Sequence, residues 1–216
     1  FCTIPGGGCS AGGGADPADT FVARFDTAGN RVWASQSAKS GRDVGGQIAL
    51  GPTGDPYLAG VTKSFVGTTG TLTEQAGGWD VYVSRLTKDG ALSWTHQLGT
   101  TDDDYLGALV VSASGEAMVS GSTSGVLPGS NALGAMDAFV AVLGASGSSE
   151  TFQQFSTELQ DSSAELGSPS IALAPRGGLF LASSVNGPTW GTTALGNYDI
   201  TLTYLPIPGA NKGVSS

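Results

Sequence analysis

Asp19-Thr-Phe-Val-Ala-Arg-Phe25, Asp80-Val-Tyr-Val-Ser-Arg-Leu86, Asp137-Ala-Phe-Val-Ala-Val-Leu143 and Asp199-Ile-Thr-Leu-Thr-Tyr-Leu205 are four renderings of one pattern. Their leading aspartates lie 61, 57 and 62 residues apart. A long, nearly fixed period means that one supersecondary unit is stacked several times, and it decides the architecture ahead of any local reading. Side chains alternate along a strand, so Phe21, Ala23 and Phe25 share one side and Val22 the other; in the second copy Val81 and Val83 oppose Tyr82 and Leu86. A strand apolar on both faces is sandwiched between two further layers.

Outward from each strand comes turn chemistry. Ten residues after the first three leading aspartates stand Gly29, Gly90 and Gly147, each read as the turn of a hairpin. The returning strand carries Trp33 and Trp94, with Thr151 beside Phe152 in the third copy, and then a glutamine in all three: Gln36, Gln97 and Gln154. A second hairpin follows around Gly54, Gly115 and Gly177, in Ile48–Leu58, Leu109–Val119 and Ile171–Leu181. Two hairpins per period make four strands per repeat, and helical periodicity is absent. Four-stranded antiparallel sheets packed face to face around an axis give the β-propeller, whereas a two-sheet sandwich would leave one face of each strand polar. The expected fold is therefore all-β, with about three and a quarter propeller-type repeats over residues 16–206, a Gly-rich arm over 1–15 and a tail over 207–216.

The composition agrees. Of 216 residues, 35 are glycine, 39% are apolar and only 12% are charged, which suits a packed protein of many tight turns. A net charge of −9 argues against a partner held through its phosphates, because such binding rests on clustered Lys and Arg. Nucleic acid and anionic membrane surfaces are thus disfavoured, and no apolar run approaches the roughly 20 residues of a membrane helix. Cys2 and Cys9 most economically form one disulfide, which implies an oxidising compartment; two unpaired thiols in a flexible arm are the alternative. The chain begins at Phe1 with no initiator Met and no signal-like segment, so a processed, truncated or partial chain is expected.

These residues resemble the bacterial β-propeller repeats known as SBBP repeats. The likeness rests on Asp137-Ala-Phe-Val140, Arg85-Leu86, Trp33, Trp94, Asp103-Asp104-Tyr105 and Gly121-Ser-Thr123, repeated in register over nearly the whole chain. It implies a secreted, periplasmic or cell-surface scaffold and carries over no catalytic residues. The later copies depart from the pattern, with Val142 and Tyr204 in the basic slot, Thr151 for the tryptophan and about five extra residues between Glu158 and Leu166. Counted by strands, the chain opens with an outer pair, continues through two full blades and ends on an inner pair plus one strand. Propellers usually need at least four blades, so the missing strands are expected from another chain or from an absent segment of the same protein.

Few residues suggest chemistry. His96 is the only histidine, and its slot holds Ser35 and Gln153 in the sister copies, which argues for a structural role over acid–base work. Asp102, Asp103 and Asp104 form the densest carboxylate run and are the calcium candidates, yet the alternating spacing of a calcium loop is missing. Glu74, Asp80, Glu116 and Glu165 are the glycosidase candidates, but they are scattered, and Asp80 has a counterpart in every copy. Trp79, Trp190 and Tyr198 sit in or beside the linkers, where they could stack on sugar rings or pack between sheets. Arg24 and Arg85 share a slot and are expected to pair with an aspartate or lie over an aromatic ring. The leading expectation is a non-enzymatic protein-interaction scaffold without a cofactor; a carbohydrate-binding module or adhesin is the alternative, and a glycoside hydrolase the third.

Overall fold

The computed structural model describes residues 2–3, 19–36, 42–66, 77–131, 136–148, 150–155, 168–175, 177–185 and 199–206. They are all-β, with no helix, and every strand pairing among them is antiparallel. Strands β1 (Cys2–Thr3), β2 (Phe21–Phe25) and β3 (Arg31–Gln36) form the first sheet, in the order β1-β3-β2. The second sheet is a meander of β4 (Asp43–Leu50), β5 (Pro56–Thr62), β6 (Asp80–Leu86) and β7 (Leu92–Leu98). The third repeats it with β8 (Asp104–Val111), β9 (Ala117–Thr123), β10 (Asp137–Leu143) and β11 (Glu150–Phe155). The fourth holds β12 (Ser170–Leu173), β13 (Leu179–Val185) and β14 (Asp199–Leu205).

This is the grouping the strand count predicts: an outer pair, two complete four-stranded sheets, then an inner pair and one strand. The turn glycines are where the period places them, and all six take positive φ, from +72° at Gly147 to +87° at Gly177. One pairing was not legible. Cys2 and Thr3 add a short strand to β3, opposite Gln36 and Ser35, within the segment expected to be only an arm. Cys9, the expected disulfide partner of Cys2, lies outside the described residues.

The sheets stack in chain order, each sharing a core with the next. Val22 and Trp33 of the first sheet meet Leu58 and Leu86 of the second. Tyr57, Val81, Val83, Trp94 and Leu98 meet Leu109, Val119, Phe139 and Leu143 of the third. Met118 and Val140 then meet Ile171, Leu179, Leu181 and Leu205 of the fourth. Strands β6 and β10 are accordingly buried on both faces, as the two-sided apolar pattern requires, whereas β2 buries only Val22.

Strand β8 packs against both β4 and β12, the first strands of the neighbouring sheets. A bulge in each of β4 and β8, at Gly46 and Gly107, permits that approach. A Cβ on Gly107 would fall 2.1 Å from the carbonyl oxygen of Pro169.

Candidate functional site

Two repeated signals in the sequence, the leading aspartate and the glutamine seventeen residues later, are hydrogen-bond partners. Gln36 Nε2 donates to Asp19 Oδ2 at 3.0 Å, Gln97 Nε2 to Asp80 Oδ2 at 2.9 Å and Gln154 Nε2 to Asp137 Oδ2 at 2.7 Å. In the complete sheets the same glutamine also secures the linker. Gln97 Oε1 accepts from Val66 N at 2.7 Å, and Gln154 Oε1 accepts from Leu127 N at 2.9 Å. A threonine extends each ladder across the sheet: Thr62 lies in register with Asp43 and Asp80, and Thr123 with Asp104 and Asp137. The Thr62 hydroxyl donates to Asp43 Oδ1 at 2.6 Å.

A second repeated set joins one sheet to the next. Trp33 Nε1 and Arg24 Nη1 both donate to the carbonyl of Lys88, at 2.9 and 3.0 Å, and Ser35 Oγ donates to Gly90 O at 2.7 Å. One sheet further on, Trp94 Nε1 and Arg85 Nη1 both donate to Ala145 O, at 3.2 and 3.0 Å. Each group of three therefore grips the outer turn of the following sheet. The tryptophan ring fills the space over the turn glycine, so that a Cβ on Gly90 or Gly147 would sit 2.7 or 2.6 Å from it. Arg85 meets both sequence expectations for its slot, pairing with Asp55 at 2.7 Å and lying 5.6 Å from the Tyr57 ring centroid. The Arg85 hydrogen bond holds the Asp55 carboxyl below its ordinary range.

His96 is the third member of the second grip, in the slot of Ser35. Its Nδ1 donates to Gly147 O at 2.8 Å, since a carbonyl can only accept, and its Nε2 faces the Glu150 carboxylate of β11. Both side chains are buried, and Glu150 Oε1 has no hydrogen-bond partner. Neither ring nitrogen is open to a substrate. The imidazole is a strut between the outer strands of two sheets.

The carboxylate run does not converge. Asp102 is exposed. Asp103 turns to the preceding linker, where Oδ1 accepts from Trp79 N at 2.9 Å and Oδ2 accepts from Tyr105 Oη at 3.1 Å. Asp104 points into the core, and its Oδ2 accepts from Thr100 N at 2.6 Å and Thr100 Oγ1 at 3.2 Å. The described residues hold no group of three His, Cys, Asp or Glu side chains placed to share a metal ion.

Asp104 meets a different neighbour. Asp80 Oδ1 and Asp104 Oδ2 lie 2.3 and 2.8 Å from the point where a Cβ on Gly99 would sit, so two carboxylates of adjacent sheets face each other across that glycine. Burial, and then the charge of Asp80, push the Asp104 carboxyl up to about 6 against the pull of its hydrogen bonds from Thr123 and Thr100. The offset that would have marked Asp104 as structural is in the sequence: Asp43 and Asp104 each follow a leading aspartate by twenty-four residues.

Of the remaining candidates, Glu116 Oε2 accepts from Ser112 Oγ and Ser114 Oγ within its own turn, at 3.2 and 2.8 Å. Trp79 is half-buried, with Lys63 Nζ 4.8 Å and the Arg42 guanidinium 5.7 Å from its ring centroid. Trp190, Tyr198, Glu74 and Glu165 lie outside the described residues.

The surface that stands out is apolar and sits at the two ends of the stack. On the first sheet Phe21, Phe25 and Val32 are 73%, 58% and 54% exposed. On the fourth, Ile200, Leu202 and Tyr204 alternate along β14 at 84%, 71% and 51%, with Phe180 edge-on to Tyr204. A groove of about 530 Å³ runs beside β2, lined by Phe21, Val22, Gly46, Ile48, Leu58 and Ala59. Among the described residues β2 pairs only with β3, and β14 only with β13.

No protein-family model matches the chain. A curated protein of Caulobacter vibrioides named regulatory protein FlaEY is 33% identical over 101 residues, a stretch that makes up 44% of this chain. The match spans 10% of that relative's length.

Proposed function

We propose that this chain is an arc of a β-propeller serving as a non-enzymatic scaffold, secreted or surface-attached, that is completed by contact with another polypeptide. The observation that carries the reading is the pair of apolar end faces, each bordered by a strand paired on one side only among the described residues. Contiguous exposed apolar surface and open strand edges are features that proteins normally cover. The close approach of β4, β8 and β12 suits sheets arranged around an axis, with the leading strand of each innermost.

The residues that first suggest chemistry also support this reading. His96, Asp80, Asp104, Trp33 and Trp94 each join strands or sheets, which leaves none of them exposed as a nucleophile or base. A match to a tenth of a longer regulatory protein is the kind of likeness a modular repeat gives. The SBBP resemblance supports the extracellular setting.

Light scattering over a concentration series tests the proposal. The pure chain associates as its concentration rises, and Ile200→Lys with Leu202→Lys weakens that association without loss of the β-sheet circular dichroism signal. A chain that stays monomeric throughout the series, and whose end faces show no partner in cross-linking, overturns it.

A further inference from the structure

In the second sheet Tyr82 of β6 lies over Gly60 of β5, and in the third Phe139 of β10 lies over Gly121 of β9. Any side chain on these glycines would collide with the ring: a Cβ on either would fall 2.6 Å from a ring or hydroxyl atom. Two residues further along come Thr62 and Thr123, in register with Asp80 and Asp137. A strand that pairs with the Asp-x-aromatic edge thus carries Gly-x-Thr. Backbone pairing supplies the contact, and the aromatic on glycine fixes the register.

Asp19 and Phe21 are the same two residues in the first sheet. Phe21 is 73% exposed where Tyr82 is 3% and Phe139 is fully buried, because no described strand lies on that side of β2. The groove beside β2 is the place that β4–β5 and β8–β9 fill in their own sheets, and Ile48 and Leu58 form its far wall. The described hairpins of this chain are already paired in their own sheets. Strand β13 also carries Ser183 and Val185 at the Gly and Thr positions, matched to Thr201 and Asp199 of β14.

We propose that the groove beside β2 accepts a β-hairpin of this repeat type from a polypeptide outside this chain, one whose abutting strand carries Gly-x-Thr and pairs edge to edge with β2. The inference rests on the scaffold reading and names its partner. The glycine lies under Phe21, the threonine lies opposite Asp19, and the apolar face of the hairpin covers Ile48 and Leu58.

The probe is a labelled synthetic peptide of residues 104–123, titrated against the pure chain by fluorescence anisotropy, with hydrogen exchange read on the protein. Saturable binding is expected, with new protection at residues 21–25. Gly121→Val in the peptide, or Phe21→Ala in the protein, weakens binding at least tenfold, and because Phe21 is exposed its variant folds normally by circular dichroism. No binding, equal binding by the Gly121→Val peptide, or protection at 199–205 instead overturns the proposal. If the chain still self-associates through Ile200 and Leu202 in that case, the scaffold reading survives and only the hairpin partner is removed.

Discussion

Gln97 Nε2 donates to Asp80 Oδ2 at 2.9 Å, and this one amide also holds Ser64 O and Val66 N of the linker that leads into β6. The pair is fully buried, so removing the amide leaves a carboxylate and a backbone N–H without their partner in the core. Gln97→Leu is expected to cost about 3 kcal/mol, since unsatisfied buried groups cost more than the bond itself contributes. Gln36→Leu, where both partners are half-exposed, is expected to cost less than about 1 kcal/mol because water replaces the amide. Urea denaturation midpoints of the two variants make the comparison, and equal losses would show that the buried ladder is not what holds the sheet.

Gly29 and Gly147 occupy the same turn with φ of +84° and +72°, but only Gly147 lies under a tryptophan ring. Gly29→Ala meets nothing within 4 Å and is expected to cost only the left-handed backbone term of about 1–2 kcal/mol. Gly147→Ala would place its Cβ 2.6 Å from the Trp94 ring, so it pays for the same backbone term and also displaces the ring. Its loss in thermal unfolding is expected to be roughly twice as large.

His96 and Glu150 form a buried polar contact that crosses between sheets. Each single change, His96→Ser or Glu150→Ser, strands a buried polar partner and is expected to cost about 1–3 kcal/mol. The double variant resembles the first junction, where Ser35 and Ser93 stand at these positions, and is expected to lose less than either single variant. A double-mutant cycle by chemical denaturation measures the coupling; additive losses would mean that the two side chains act independently.

Asp104 carries a pH dependence whose sign follows from its raised carboxyl. Its folded value of about 6 exceeds the ordinary 3.8, so the native protein binds that proton more tightly than the unfolded chain does. The stabilisation is complete below about 3.8 and is lost as the pH rises through about 6. Asp104→Asn keeps an oxygen for Thr100 N and removes the charge facing Asp80. It is expected to gain on the order of 2 kcal/mol over the parent at neutral pH, with the advantage shrinking toward pH 4. Unfolding free energies of both proteins across that interval decide it, and a constant difference would place the effect elsewhere.

The period revealed the leading aspartates, the turn glycines and the glutamines as separate repeats, because each is a residue type at a fixed offset. It could not reveal that Asp80 and Gln97 are partners, since antiparallel register joins positions that composition treats as unrelated. His96 was legible as structural from Ser35 and Gln153 in its slot. Its partner Glu150 was not, because that contact crosses from one sheet to the next and does not recur among the described residues. Asp102, Asp103 and Asp104 looked like one acidic cluster, yet Asp102 and Asp103 lie in the loop before β8, and only Asp104, its first residue, reaches the core.

By itself the sequence determined the repeated strands and their hairpin pairing, since local turn chemistry and two-residue alternation specify these without long-range information. Only the tertiary structure decided which surfaces stay uncovered. Phe21 and Tyr82 obey the same local rule, and one is exposed while the other is buried solely because a neighbouring strand lies beside β6 and none of those described lies beside β2. Burial belongs to the stack and not to the residue, which is why the groove beside β2 emerged from the packing of the sheets.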